Sequence, residues 1–195
     1  MADIIGFEST LPNCGGTSLS IDGKVYMYTY NIWSQMIADD LITRDVATRQ
    51  IVDIQNAPGE AAVEIGINKE GIQPSTPAVI GDSQSGHTHT LRLVIPTLTQ
   101  EQKEQYTSFL CKPVICIVRY ENSEEPFAMV YGDGSGLRAT VLDNIQTDQQ
   151  LANAIDVTLS THAKVTLEPT MPNNIDAGGR TPTMELLDTL TTPGV

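Results

Sequence analysis

Apolar side chains recur at every second position in several separate stretches, and that period restricts the chain to folds built on sheets. In KVYMYTYNIW, residues 24–33, Lys24, Tyr26, Tyr28 and Tyr30 fall on one side of an extended backbone. Val25, Met27, Thr29 and Asn31 fall on the other. Aromatic and β-branched residues in such alternation mark a strand. The same reading applies to AAVEIGI (61–67), THTLRLVIP (88–96), FAMVYG (127–132), LRATVLD (137–143) and AIDVTLSTHAKVTLEP (154–169). Residues 41–54, with Val46, Ile51, Val52 and Ile54 between polar residues, read as one or two modest strands. PVICIVRY (113–120) is almost continuously apolar and is expected to be a central strand, buried on both faces.

One helix stands out. It is expected over about residues 97–110, capped by Thr97 or Thr99. Thr99 followed by Gln102 three residues on is a capping box, and Glu101 suits the positive end of the helix dipole. Tyr106, Phe109 and Leu110 form its apolar stripe, and Pro113 ends it. Ile32, Met36 and Ile37 are spaced for a helix turn, so IWSQMIADDL either extends the first strand or forms a short helix. The fold class is therefore mainly β, of α+β type: a β-sandwich or barrel-like sheet with one packed helix.

Three segments break the pattern. Residues 1–20 are poor in core residues and read as an N-terminal arm. Residues 68–87 carry two prolines and three glycines and are expected to be a long projecting loop. Beyond Pro169 the chain is rich in Pro, Gly and Thr, with Met184, Leu186, Leu187 and Leu190 as its few anchors. Residues 169–195 accordingly read as an extended C-terminal arm. The β-rich domain occupies 21–168, and both arms are expected to clasp neighbouring molecules and to be dispensable for folding.

Charge removes several functions. With 11 Lys+Arg against 24 Asp+Glu, the net charge is −13, which is poor for gripping nucleic-acid phosphates or an anionic membrane. No run approaches the roughly 18–20 apolar residues of a membrane span. MADIIGFEST lacks a basic and then apolar opening, so no secretory leader is expected. The three cysteines, Cys14, Cys111 and Cys116, form no CxxC pair, and Cys116 alternates with Val114 and Val118 as a small core hydrophobe.

Candidate chemistry is sparse. His87-Thr88-His89 places two imidazoles at i and i+2, where one strand face could offer both to a metal. Gly81, six residues earlier, adds to a likeness to the first cupin motif, but the acid that motif needs is missing before Glu101, and His162 is the only other imidazole. A cupin-like metal or small-ligand β-barrel enzyme using His87 and His89 is thus the alternative reading. Gly81-Asp82-Ser83 resembles a hydrolase serine block without the downstream Asp-x-x-His it requires. Gly132-Asp133-Gly134-Ser135-Gly136 lacks the lysine of a phosphate loop and reads as a glycine-rich bend. Asp39-Asp40 and Glu124-Glu125 are adjacent pairs whose side chains diverge, so neither makes an acid/base couple. No catalytic, cofactor-binding or metal residue is assigned.

One long stretch has a familiar order of elements. It reads HTLRLVIPTLTQEQKEQYTSFLCKPVICIVRYENSEEPFAMVYGDGSGLRA, followed by IDVTLSTHAKVTLEP, across roughly residues 86–169. This is similar to small structural proteins of the tails of gut bacteriophages, including the crAss-like group. The resemblance implies a compact β-rich subunit of a tail ring, tube or head–tail adaptor. It implies a virion protein assembled in the host cytoplasm, without enzymatic activity or cofactor. Its expected partners are further copies of itself, about six or twelve in a ring, and neighbouring tail, portal or connector proteins. DNA would pass through the ring without specific binding, eased by acidic walls.

Overall fold

The structure, a computed structural model, describes residues 21–67, 71–80, 85–96, 99–120, 127–145, 154–161, 168 and 170–194. The 1–20 arm therefore lies outside the described residues, as do 121–126, 162–167 and part of the 68–87 segment.

The first strand shows how the layers arise. In β1 (Ile21–Thr29), after an irregularity between Ile21 and Val25, successive apolar residues turn to opposite faces. Val25 and Met27 enter one core cluster, while Tyr26 and Tyr28 enter another. β9 (Val114–Tyr120) pairs antiparallel with β1, Tyr26 opposite Ile117 and Met27 opposite Cys116, and divides its residues in the same way. A strand pair that is apolar on both faces must be covered on both.

These two strands sit inside a seven-stranded sheet of order β2-β3-β13-β10-β9-β1-β4. The flanking strands are β2 (Ile42–Arg44), β3 (Ile51–Ile54), β4 (Val63–Gly66), β10 (Ala128–Tyr131) and β13 (Asn173–Ile175). One face is covered by a four-stranded antiparallel sheet of order β11-β12-β8-β5. It comprises β5 (Ile72–Ser75), β8 (Thr90–Pro96), β11 (Arg138–Ile145) and β12 (Ala154–Ser160). Leu91, Leu93 and Ile95 of β8 and Ile155, Val157 and Leu159 of β12 face inward against β1 and β9. Their neighbours Arg92 and Asp156 point out and pair across the strands. The fold is thus mainly β, a sandwich of two sheets with added helices, as the alternation implied.

Two helices cover the other face of the large sheet. α1 (Tyr30–Ala38) buries Trp33 and Met36, which settles IWSQMIADDL as a helix rather than more strand. α3 (Arg180–Thr189) buries Thr183 and Leu187. α2 (Gln100–Leu110), which packs against the inter-sheet core instead, is the expected helix, with Thr99 as its N-cap and the capping box formed in both directions. Such a cap contributes about 1 kcal/mol. The expectation of one packed helix is corrected to three among the described residues.

The C-terminal arm is also corrected. β13 inserts between β3 and β10, with Ile175 fully buried opposite Ala128 and Ile51. Leu187 and Leu190 join Trp33, Met36 and the tyrosines in one cluster. Tyr28 donates its hydroxyl to Asn56 Oδ1 (2.6 Å), whose amide donates to the carbonyls of Leu190 and Thr192. Gly194 closes the segment against Gly59 and Glu60 through backbone hydrogen bonds, and a Cβ on it would collide with the carbonyl of Asn56. Residues 170–194 are therefore core, not arm. Three strand residues and a helix with two inward leucines carry too little periodicity to announce this.

The projecting loop is corrected in part. Ile72 of β5 is buried, and β5 forms the edge next to β8, a position that tolerates Pro74. β6 (Ala78–Ile80) and β7 (Ser85–His87) form a separate two-stranded ribbon.

Leu187→Ala should lower unfolding free energy by about 2–5 kcal/mol, read by denaturant titration. Deleting 170–195 should yield protein without native circular dichroism, and a truncated chain that melts like the full one would contradict this packing.

Candidate functional site

The glycine-rich run 132–136 follows β10 directly and turns back on itself. Gly132 and Gly136 have φ of 82° and 74°, and the Gly136 amide donates to the Gly132 carbonyl at 2.7 Å. A Cβ on Gly132 would lie 2.7 Å from Leu137 Cγ, so space as well as φ requires glycine. The result is a tight bend with its amides directed inward rather than a loose connection.

Those amides bind a carboxylate of the chain itself. Gly134 N–H donates to Glu168 Oε2 (2.9 Å), and Ser135 N–H and Oγ–H donate to Glu168 Oε1 (3.0 and 2.7 Å). Successive amides of this kind form an anion-binding nest. Glu168 is 1% exposed, so these three donors replace the water it gives up. The Asp133 carboxylate points the other way and accepts from Trp33 Nε1 (2.7 Å), Arg44 (2.6 Å) and Asn173 Nδ2 (2.7 Å). Tyr30 adds a hydroxyl donated to the Gly134 carbonyl at 3.0 Å. One five-residue bend thus joins α1, β2, β13 and Glu168.

His89 is the third member of this polar cluster. Its Nδ1 accepts from Gly132 N–H at 3.1 Å, so the proton resides on Nε2, which donates to the Thr170 carbonyl at 3.0 Å. The backbone of His89 is fixed as well, through Thr161 Oγ1 and Thr161 N–H. Burial holds the imidazole below its ordinary 6.5, against smaller opposing effects of the Thr170 carbonyl and the Glu168 charge. His89 is therefore a neutral ring with both nitrogens committed.

The idea of two imidazoles on one strand face is corrected by this arrangement. His87 ends β7, His89 precedes β8, and these strands belong to different sheets. His87 exchanges backbone hydrogen bonds with Glu168, and its Nδ1 is buried with no hydrogen-bond partner among the described residues. Among the described residues no group of three or more His, Cys, Asp or Glu side chains is placed to hold a metal ion. Ser135 donates its hydroxyl to Glu168, and among the described residues no imidazole stands between them.

The remaining candidates scatter. Gly81-Asp82-Ser83, Glu124-Glu125, Cys14 and His162 lie outside the described residues. Asp39 caps the end of α1, and Asp40 follows with a positive φ of 55°. Cys111 is exposed after α2. Cys116 is buried in the inter-sheet core, and burial pushes its thiol up. Sequence reasoning missed Glu168, Asp133 and Arg44 as a cooperating set. The one available signal was an acid inside a glycine run, which alone cannot name its distant donors.

Compared with known protein families, curated proteins and solved structures, the chain matches none.

Two outcomes test the cluster. As pH falls, an unfolded histidine protonates before His89 does, so its contribution is complete above about 6.5 and drains as pH drops toward the lower native value. The melting temperature should therefore fall as pH drops below about 6.5, and His89→Gln should remove that part of the dependence while melting lower at neutral pH. An equal pH slope in both proteins would refute the assignment. Asp133→Ala strands three donors and should cost on the order of 3 kcal/mol, measured by chemical denaturation.

Proposed function

We propose that this chain is a non-enzymatic structural protein of a bacteriophage virion, a subunit of a tail ring, tube or head–tail adaptor that assembles from copies of itself. The observation that carries the reading is the edge of the smaller sheet. β11 is eight residues long and stands outermost in the order β11-β12-β8-β5, with Val141 exposed by 47%. Among the described residues no strand pairs with the outer side of β11, and a long edge of this kind offers a row of backbone donors and acceptors that a monomer gains by hiding. In a closed ring such an edge becomes the subunit contact.

Two further observations support the reading. The polar cluster around residues 132–136 spends its hydrogen bonds on joining segments of the fold, leaving little to act on a substrate. The net charge of −13 suits a channel wall along which DNA slides without sticking. Neighbouring tail, portal or connector proteins would complete the ring, and six or twelve copies are the expected orders.

Light scattering coupled to size exclusion should give a mass several times the 21.1 kDa of one chain, and negative-stain images should show closed rings. A protein that stays monomeric at high concentration would overturn the proposal.

A further inference from the structure

The turn between β2 and β3 carries an apolar side chain where turn chemistry calls for Gly, Asn, Asp or Ser. Val46 sits in that turn and is 98% exposed. The turn around it is nonetheless held hard. Asp45 Oδ1 accepts from Ala47 N–H (3.0 Å), Thr48 N–H (2.7 Å) and Thr48 Oγ1 (2.9 Å). Asp45 N–H donates to the Gln50 carbonyl and Arg49 N–H donates to the Asp45 carbonyl, both at 2.9 Å. Arg49 accepts a φ of 62° to close the turn. At its base, Arg44 is tied to Asp133 of the polar cluster. A rigid turn with a β-branched apolar tip has already lost the entropy that a contact would otherwise cost. Val46 adds nothing to the core of its own chain.

A matching recess lies on the other sheet. Between the end of α2 and the open edge strand β11 there is a hollow of about 460 Å³. Leu110 and Leu142 form its apolar floor, Val141 stands half-exposed on its wall, and the exposed Arg138 stands at its rim. The tip brings a valine beside the Asp45 carboxylate, and the recess offers apolar side chains beside a guanidinium. The two surfaces are complementary in polarity and in charge. They belong to different sheets of one chain, so joining them across copies gives a head-to-tail contact, which closes into a ring when the rotation permits.

We infer that the Asp45–Gln50 turn is an assembly knob whose Val46 seats in the Leu110–Val141–Leu142 recess of a second copy, with Asp45 facing Arg138. This inference rests on the proposed self-assembly and specifies its contact.

The test uses the full chain and three variants. Val46→Asp alters the knob, Val141→Asp alters the recess, and Arg138→Glu alters its exposed rim. Circular dichroism melts confirm folding, and Arg138→Glu serves as the recess variant should Val141→Asp fail to fold. Each variant should raise the dissociation concentration of the assembly by about tenfold or more in light scattering. Mixing Val46→Asp with a recess variant should restore a 1:1 pair, since one partner retains a sound knob and the other a sound recess. Variants that assemble like the wild type, or mixtures that stay monomeric, would overturn the knob while leaving self-assembly standing. A monomeric wild type would instead overturn the assembly reading, and the knob with it.

Discussion

The Asp133 carboxylate is the point on which the layers of this protein are keyed together. It accepts hydrogen bonds from Trp33 of α1, Arg44 of β2 and Asn173 of β13, three segments that reach it from both ends of the chain. The same bend turns its amides toward Glu168 and its Gly132 N–H toward His89. Hydrophobic burial is non-directional and would allow the helices to slide over the sheet. A set of charge-assisted hydrogen bonds in a partly dry setting does not, because each orphaned member costs far more than it gains when paired. The cluster therefore supplies register where the core supplies cohesion.

That division of labour bears on function. The buried groups of the cluster are committed within the fold: Asp133 to Trp33, Arg44 and Asn173, Glu168 to Gly134 and Ser135, and His89 to Gly132 and Thr170. The described residues also present an outer strand at β11, a stiff turn with an exposed valine, and a hollow beside α2. On the proposed reading, these are the parts that would meet further copies of the chain. The turn is held by its own Asp45 hydrogen bonds, and Arg44 ties the base of the β2–β3 hairpin to Asp133. Folding and assembly would thus share one anchor.

Much of the architecture was legible in local spacing. Side chains at i and i+2 on a strand, or at i and i+3 across a helix cap, are neighbours whatever the rest of the chain does. Hence β1, β8, β9, β12 and the Thr99 cap of α2 could be read directly. Even the double-sided burial of β9 was implied by the unbroken apolar run in VICIVRY. The same logic failed at the C-terminus. β13 spans only Asn173–Ile175 and has one buried apolar residue, so it has no period to detect. It is a strand because β3 and β10 leave room between them.

The sequence by itself determined the sheet-rich class, the capped helix and the acidic surface, because each follows from composition or from residues a few positions apart. Only the tertiary structure decided that residues 170–194 are core, that His87 ends β7 while His89 lies before β8 beside the glycine bend, and that Gly132–Gly136 clasps Glu168. Those outcomes depend on distant partners, 33 positions apart for Glu168 and Ser135 and 100 for Asp133 and Trp33. No local pattern encodes which distant donor a buried carboxylate will meet. The meeting is set by how the layers stack, and the stacking is settled by the whole chain at once.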